Sequence, residues 1–348
     1  MAAALRAAAV EQLSEGTEVN CDQPYVELAE QALQHYALGA TQLTFIQHNA
    51  GVVFRIDAPA MGRPYLLKLH ERIGGGSNPS AAQLEVGLGW LASLGRETDL
   101  VVQTPVTNTS GHFVSQLYTS DATPLCCTVQ HWVEGKLPKG DFTAGQAMQI
   151  GVVMAKLHTH SQQHPFAQDL PAVRHDASAL AENIRTLRLK LDQALLPTTA
   201  FAVIVAARQE ITTIMTKLGM ASDVWGPVHG DLHYDNLLLE GAEVRPIDFT
   251  GLRLAHYLYD IGVTIYHIYH QGPGIRRAFM EGYRHIRPLP EANRRAIEAF
   301  VAYAAIDNIA WNSTIPDQAA SALFRRNLQQ LIEQFCSSVA ERRPFLFS

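Results

Sequence analysis

Several common functions are excluded by what this chain has little of. Its 348 residues contain four cysteines, Cys21, Cys126, Cys127 and Cys336, with no C-x-x-C spacing among them. A disulfide framework or cysteine metal site is therefore not expected, and a reducing, cytoplasmic setting fits. Positive charge is also scarce, with 27 Lys+Arg against 33 Asp+Glu and a formal net charge of −6. No run of adjacent Lys or Arg is longer than that at Arg342-Arg343, so no nucleic-acid partner is expected. No apolar run reaches the ~18–20 residues of a membrane span. The Ala-rich start, Met1 to Gly16, lacks the basic opening and long apolar core of a signal peptide and reads as a short helix. Gly74-Gly75-Gly76 is followed by no G-K-[ST], so it is not a phosphate loop; it suits a flexible entry to the next helix.

What remains is an ordinary globular composition, 47% hydrophobic and 17% charged, in which the periodicity changes part-way along. After an extension over 1–39 with an amphipathic helix at Pro24–Tyr36, residues 40–133 alternate in short runs. Strands are expected within Leu43–Ile56, joined at Gln47–Gly51, and at Tyr65–Leu69. Others are expected around Val101-Val102 and Phe113-Val114, as strand–turn–strand about Asn108–Gly111, and at Leu125–Val133. One helix, Ala81–Leu94, interrupts them, with Ser80 or Asn78 as its cap. From 134 to 348 the spacing is helical: Ala144–His160, Ala177–Leu195, Ala200–Leu218, Asp260–Gln271, Gly274–His285, Glu291–Ser313 and Gln318–Ala340. The fold class is α+β: a small lobe of antiparallel sheet with one main helix, then a larger, mainly helical lobe.

The chemistry is concentrated in Val228–Thr250, VHGDLHYDNLLLEGAEVRPIDFT. Phosphoryl transfer needs a group to orient or deprotonate the attacking hydroxyl, oxygen ligands for Mg²⁺ and positive charge on the phosphates. Asp231 suits the base. Asn236 and Asp248 supply hard oxygens that favour Mg²⁺ over Zn²⁺. A hairpin of Leu237–Leu239 and Val244–Ile247, turned at Glu240–Ala242, returns Asp248 beside Asn236, although Pro246 cannot donate to its ladder. The spacing of His229, Asp231 and His233 also suits three ligands of a hydrolytic metal, a reading that leaves Asn236 and Ile247-Asp248-Phe249 unexplained. His229 and His233 read otherwise as structural.

HGDLHYDN followed by IDF resembles the aminoglycoside phosphotransferase/choline kinase family, whose pattern HGDxHxxN with a later I-D-F or I-D-W is filled at each polar position. The resemblance implies a bilobal, protein-kinase-like fold using ATP and Mg²⁺. In it Asp231 is the catalytic base and Asn236 and Asp248 hold the metal. Lys68 on the third strand binds phosphate, oriented by Glu85 on the following helix. The backbone carbonyl of His131 and amide of Val133 contact adenine where the lobes join. The polar turn Gln47–Gly51, then Phe54-Arg55, stands where protein kinases carry a Gly-rich loop. Gly151–His158 resembles the family's helix beneath the site, with His158 in the core, and Asp260 supports the catalytic loop.

The resemblance implies a small-molecule hydroxyl compound as acceptor, among them amino alcohols, amino acids, sugars and aminoglycosides. Tyr257, Tyr266, Tyr283, Asp307, Asn308 and Trp311 are candidate lining residues. A protein Ser/Thr kinase is the alternative, but the path from Asp248 to Asp260 is short for an activation segment. A non-catalytic nucleotide-binding protein is a further alternative, although Lys68, Asp231, Asn236 and Asp248 are all present.

Overall fold

The amphipathic alternation of the first third builds a twisted antiparallel sheet. The computed structural model describes residues 23–48, 51–71, 78–164, 171–249, 253–289 and 293–347. The expected N-terminal helix, Asn49-Ala50 of the phosphate turn, Gly74–Gly76 and Thr250 lie outside them. Helix α1 (Gln23–Leu33) leads to β1 (Gln42–His48), β2 (Val52–Ala58) and β3 (Arg63–Leu69), an antiparallel meander. Helix α2 (Ala81–Glu97) follows, opened by a reciprocal cap between Ser80 and Gln83. Then come β4 (Pro105–Val106), β5 (Val114–Tyr118) and β6 (Pro124–His131). Phe54, Ile56, Leu67, Leu69, Cys127 and Val129 bury one face of the sheet under Leu28, Ala29 and Ala32 of α1. Leu84, Leu88, Leu91 and Leu94 of α2 instead join the larger core of the helical half.

The expected strand–turn–strand about Asn108–Gly111 is present, but its first strand is Pro105–Val106 rather than Val101-Val102 and the two strands do not form a hairpin. Val101 and Val102 are in coil, and β4 and β5 pair with β6 rather than with each other. Strand β6 is long enough for both to lie end to end along one edge, its other edge being taken by β3. The turn is held by Asn108, whose side-chain oxygen accepts from the amides of Ser110 and His112, each at 3.0 Å.

The second half runs α3 (Ala144–Gln163), β7 (Val173–His175), α4 (Ala177–Lys190), α5 (Thr198–Leu218), β8 (Trp225–Val228), β9 (Leu237–Glu240), β10 (Glu243–Pro246), β11 (Arg253–His256), α6 (Tyr257–Ile268), α7 (Pro273–Ile286) and α8 (Arg294–Ser313). Strands β9 and β10 form the expected hairpin, with Pro246 at its last pair, where its missing donor matters least. Strands β7, β11 and β8 form a small sheet, β11 central, in runs too short to show alternation in sequence. Helix α4 stops at Lys190, short of the expected Leu195, because Asp192 accepts from the amides of Ala194 and Leu195 and starts a turn. The expected single helix Gln318–Ala340 is broken into α9 (Pro316–Ala319), α10 (Ala322–Gln330), a π-helical segment Leu331–Cys336 and α11 (Ser337–Glu341). Ser321 caps the Phe324 amide and begins a new helix there. No helix among the described residues is long and apolar enough to cross a membrane.

Candidate active site

Strand β8 delivers the chain into His229 and Gly230. Gly230 has φ +71°, and a β-carbon there would stand 2.6 Å from Arg253 Cδ, so glycine is required twice over. The turn is held from beneath by Asp260 in the first turn of α6. Its carboxylate accepts from the amides of His229 at 3.1 Å and Gly230 at 2.8 Å, and from His158 Nε2 at 3.1 Å. Burial works against the charge of Asp260, but the hydrogen bond from His158 and the neighbouring donors outweigh it and hold its pKa below the usual value. His158, fully buried, accepts from the Tyr283 hydroxyl through Nδ1 at 2.9 Å. His229 is structural, its Nε2 bonded to the Ile247 carbonyl at 3.0 Å.

Asp231 follows, with its carboxylate 43% exposed to the cleft. His233 caps the short 3₁₀ turn Tyr234–Asn236, its Nδ1 accepting from the Asp235 amide at 3.3 Å. The proton of the neutral ring is then on Nε2, which faces Asp231 Oδ1 at 3.3 Å. Asn236 is buried and turns its amide nitrogen to Asp231, donating to the backbone carbonyl at 2.8 Å and approaching Oδ2 at 3.3 Å. Its oxygen therefore faces the other way. Surrounding protein disfavours charge on Asp231, but His233, Arg253 and His267 together hold its carboxyl well below the ordinary range. The His267 ring stacks on His233 with centroids 4.6 Å apart. His267, rather than His229, is thus the third member of the Asp231–His233 cluster.

The hairpin brings the Ile247 amide to the Asn236 carbonyl at 3.0 Å, and Asp248 follows directly. Asp248 has φ +65°, a strained conformation for a side-chain-bearing residue. Its amide donates to Gln103 Oε1 at 2.8 Å, and its carboxylate meets Lys68 Nζ at 2.7 Å. Gln103, on the segment between α2 and β4, had no signal in the sequence: a lone buried glutamine in coil carries no motif.

Glu85 departs from expectation. Its carboxylate accepts from the amides of Val114 at 2.9 Å and Phe113 at 3.3 Å, so it anchors the start of β5. Among the described residues, Lys68 pairs with the carboxylate of Asp248 instead. Gly51, φ +152°, packs so closely that a β-carbon would lie 2.9 Å from Lys68 Cε.

Strand β6 ends at His131, whose amide donates to the Thr104 carbonyl at 2.8 Å. The chain then crosses between lobes through Trp132 and the buried Val133. On the far side Lys136 exchanges both backbone hydrogen bonds with Leu239 of β9, at 3.0 and 2.8 Å, and Arg245 donates to the Glu134 carbonyl at 2.8 Å.

Beyond Asp231 lies a second polar group. Arg253 opens β11, donates to the Gly230 carbonyl at 2.7 Å, and is kept firmly protonated despite burial by Asp231, Asp307 and Asp248. Asp307 accepts from Asn183 at 2.6 Å and from the Tyr259 hydroxyl at 2.7 Å. His175 stacks on Tyr259, is 9% exposed, and has no hydrogen-bond partner at either ring nitrogen. Of the other candidate lining residues, Tyr257 and Tyr283 are core groups bonded to Ser222 and His158, Tyr266 donates to Asn308, and Trp311 is 52% exposed.

Residues 43–300 match the profile of the Phosphotransferase enzyme family. The chain belongs to this family. Among the phosphotransferases it resembles is a homoserine kinase of Neisseria meningitidis serogroup B, 26% identical over 153 residues. That match covers 42% of this chain and 46% of the kinase, so the chain spans about half the length of the relative it matches. A microcompartment-associated aminopropanol kinase superposes with a TM-score of 0.73 at 22% identity, covering 91% of this chain and 97% of that one. An amicoumacin kinase, solved in complex with AMP-PNP, Ca²⁺ and Ami, gives a TM-score of 0.72 at 18% identity over 94% and 96% of the two chains. Choline kinase from Cryptosporidium parvum gives 0.61 at 12% identity over 93% and 100%. At these identities the likeness is one of fold, and that fold is protein-kinase-like.

Proposed function

We propose that this phosphotransferase moves the γ-phosphate of ATP to a hydroxyl of a small, amine-bearing metabolite. The observation that carries the reading is the return of Asp248 beside Asn236 on one hairpin, with Lys68 docked against Asp248 at 2.7 Å. The donor set fits a hard divalent cation: an amide oxygen turned away from Asp231 and a carboxylate already facing positive charge. Mg²⁺ held by Asn236 and Asp248 would neutralise charge on the phosphates. Lys68 takes the phosphate oxygens, and the backbone carbonyl of His131 and amide of Val133 take the adenine. Glu85 acts at one remove, by fixing β5. Asp231 accepts the proton of the acceptor hydroxyl, with His233 holding Oδ1. The acceptor oxygen bonds to the γ-phosphorus, the bond to the bridging oxygen breaks, and ADP leaves.

Two features favour a small acceptor. Residues 250–252 are all that separate Phe249 from β11, which is locked between β7 and β8, a connection too short for a peptide-binding activation segment. Asp231 and Asp307 flank the single guanidinium of Arg253, leaving an excess of negative charge that suits an ammonium group. The relatives named for homoserine, aminopropanol and choline take hydroxyl compounds of that kind. A cytoplasmic location, where ATP and Mg²⁺ are abundant, accords with this activity.

The test is ADP release with ATP and Mg²⁺ over homoserine, 1-amino-2-propanol, ethanolamine, choline and an aminoglycoside, with Asp231→Asn as the blank. Turnover on at least one amine-bearing alcohol is expected, falling by about 10²–10⁴-fold in the variant while nucleotide binding persists. Undiminished turnover in Asp231→Asn removes the role given to that residue, and the lack of any Mg-ATP-induced thermal shift in the wild type removes the whole reading.

A further inference from the structure

Outside the residues assigned to phosphoryl transfer, the ends of α2 and α3 bring together Glu97, His160 and His164, with one ligand atom of each within 4.8 Å of the others. His160 and His164 are one helical turn apart, and their rings stack with centroids 4.2 Å apart. Both Nε2 atoms converge on a single carboxylate oxygen: Glu97 Oε2 lies 3.2 Å from His160 and 2.7 Å from His164. The other oxygen of Glu97 is left to Arg96, at 3.5 Å.

Geometry places a hydrogen on Nδ1 of His164. Its Nδ1 lies 2.9 Å from the His160 carbonyl, which can only accept, so the hydrogen is on Nδ1. The lone pair of the neutral ring is then on Nε2, aimed at a carboxylate oxygen 2.7 Å away. Two acceptors hold that separation only with a cation between them. An added proton on the His164 ring is one solution; a single divalent cation shared by His164, His160 and Glu97 Oε2 is the other. An Nδ1–H donated to a backbone carbonyl is also the arrangement that orients a metal-binding histidine.

We propose that Glu97, His160 and His164 form a transition-metal site, taking Zn²⁺ or a cation of similar size and softness, that fastens the end of α2 to the end of α3. Two imidazole nitrogens and a carboxylate oxygen, with a fourth position open to water, are a ligand set for zinc rather than for Mg²⁺ or Ca²⁺. Ligands about 2.0–2.2 Å from a tetrahedral ion lie about 3.4 Å apart, against 3.2 and 2.7 Å from Glu97 Oε2 to the two ring nitrogens. The site is prepared without metal, because Lys156 of α3 and Asp99, just beyond α2, bridge the same two segments at 2.7 Å. Since α2 carries Glu85 and α3 carries His158, the ion would stiffen the connection between the two halves of the kinase.

The experiment uses the untagged full chain, stripped with chelator and dialysed, titrated with Zn²⁺ by calorimetry and with Co²⁺ by visible absorption. Wild type is expected to bind one Zn²⁺ and to develop a tetrahedral Co²⁺ spectrum. His164→Ala and Glu97→Gln, both changes at partly exposed side chains, should weaken binding at least about tenfold and abolish the spectrum. His267→Ala is the control for the cluster at Asp231 and should retain both. Zn²⁺ should raise the Tm of wild type but not of His164→Ala, whose own metal-free Tm reports that it folds. Equal behaviour of wild type and His164→Ala, including no binding by either, overturns the proposal, as does loss of the ion only in His267→Ala.

Discussion

The Lys68 ammonium and the Asp248 carboxylate, 180 positions apart in the chain, meet at 2.7 Å. Lys68 is 8% exposed and Asp248 23%, so the pair is partly screened and more significant for placement than for stability. In the role proposed for Lys68, removing the ammonium takes a donor from the phosphates. Lys68→Met should raise the KM for ATP by about 10–100-fold, in keeping with the ~1.5–3 kcal/mol of a charged hydrogen bond. Steady-state kinetics with varied ATP at saturating Mg²⁺ check this, and an unchanged KM would detach Lys68 from the nucleotide.

His233 should act on Asp231 through orientation. His233→Ala is expected to lower kcat by about 10²-fold, the cost of a misplaced reacting group, with little change in the KM for ATP. His233 also helps to depress the Asp231 pKa, so its removal raises that pKa and shifts the acid limb of kcat/KM to higher pH. A pH–rate profile separates this from simple misfolding, which leaves the limb in place.

Gln103 holds the amide of a residue in a left-handed conformation. Gln103→Leu leaves that amide without its partner, a loss of about 1–3 kcal/mol. The expected readout is a higher Mg²⁺ requirement, with half-saturation raised severalfold or more, while denaturant unfolding changes only modestly. Identical Mg²⁺ titrations for the two proteins would refute it.

Buried neutral imidazoles set the response to acid. Burial lowers the pKa of His158, His229 and His256, and takes His267 down to about 3. In the unfolded chain these rings protonate near pH ~6.5. Below that value the unfolded state binds more protons than the folded one, so stability falls as pH drops from ~6.5 towards each folded pKa. Tm should therefore decline steadily between pH 7 and pH 5. His267→Phe, which cannot titrate, should flatten part of the decline; a Tm level across that range counts against the assignment.

Asp260 is fully buried and accepts from two backbone amides and His158. Asp260→Ala strands those donors and should cost about 3–5 kcal/mol in denaturant unfolding. A cost under 1 kcal/mol would show that the catalytic turn is held by something else.

The sequence revealed most clearly what is local. HGDLHYDN and IDF are close in the chain, and the hairpin between them is set by a two-residue turn, so Asp231, Asn236 and Asp248 could be brought together on paper. Lys68 was legible as a lysine on the third strand, ahead of the motif in the expected order. Its partner was not, because order along the chain says that a carboxylate follows on α2 but not where that helix points. Glu85 faces the start of β5, and only the packing of α2 on the larger core decides this. Gln103, His267 and His175 were invisible for a related reason: each is a single residue without a repeat, brought to the site by elements that are adjacent only in space. The strands β7, β8 and β11 are too short for periodicity to report. Only their pairing reveals them, although the short path from Asp248 to Asp260 was already countable in the sequence.

The paired backbone bonds between Lys136 and Leu239 also determine where the molecule can bend. The connector is clamped to the catalytic hairpin from Glu134 onwards, and to the sheet up to Trp132. Any rocking of one lobe on the other must then be taken up by torsions around Val133, the residue whose amide we propose for adenine. Opening the cleft and releasing the nucleotide base are on this account the same rotation.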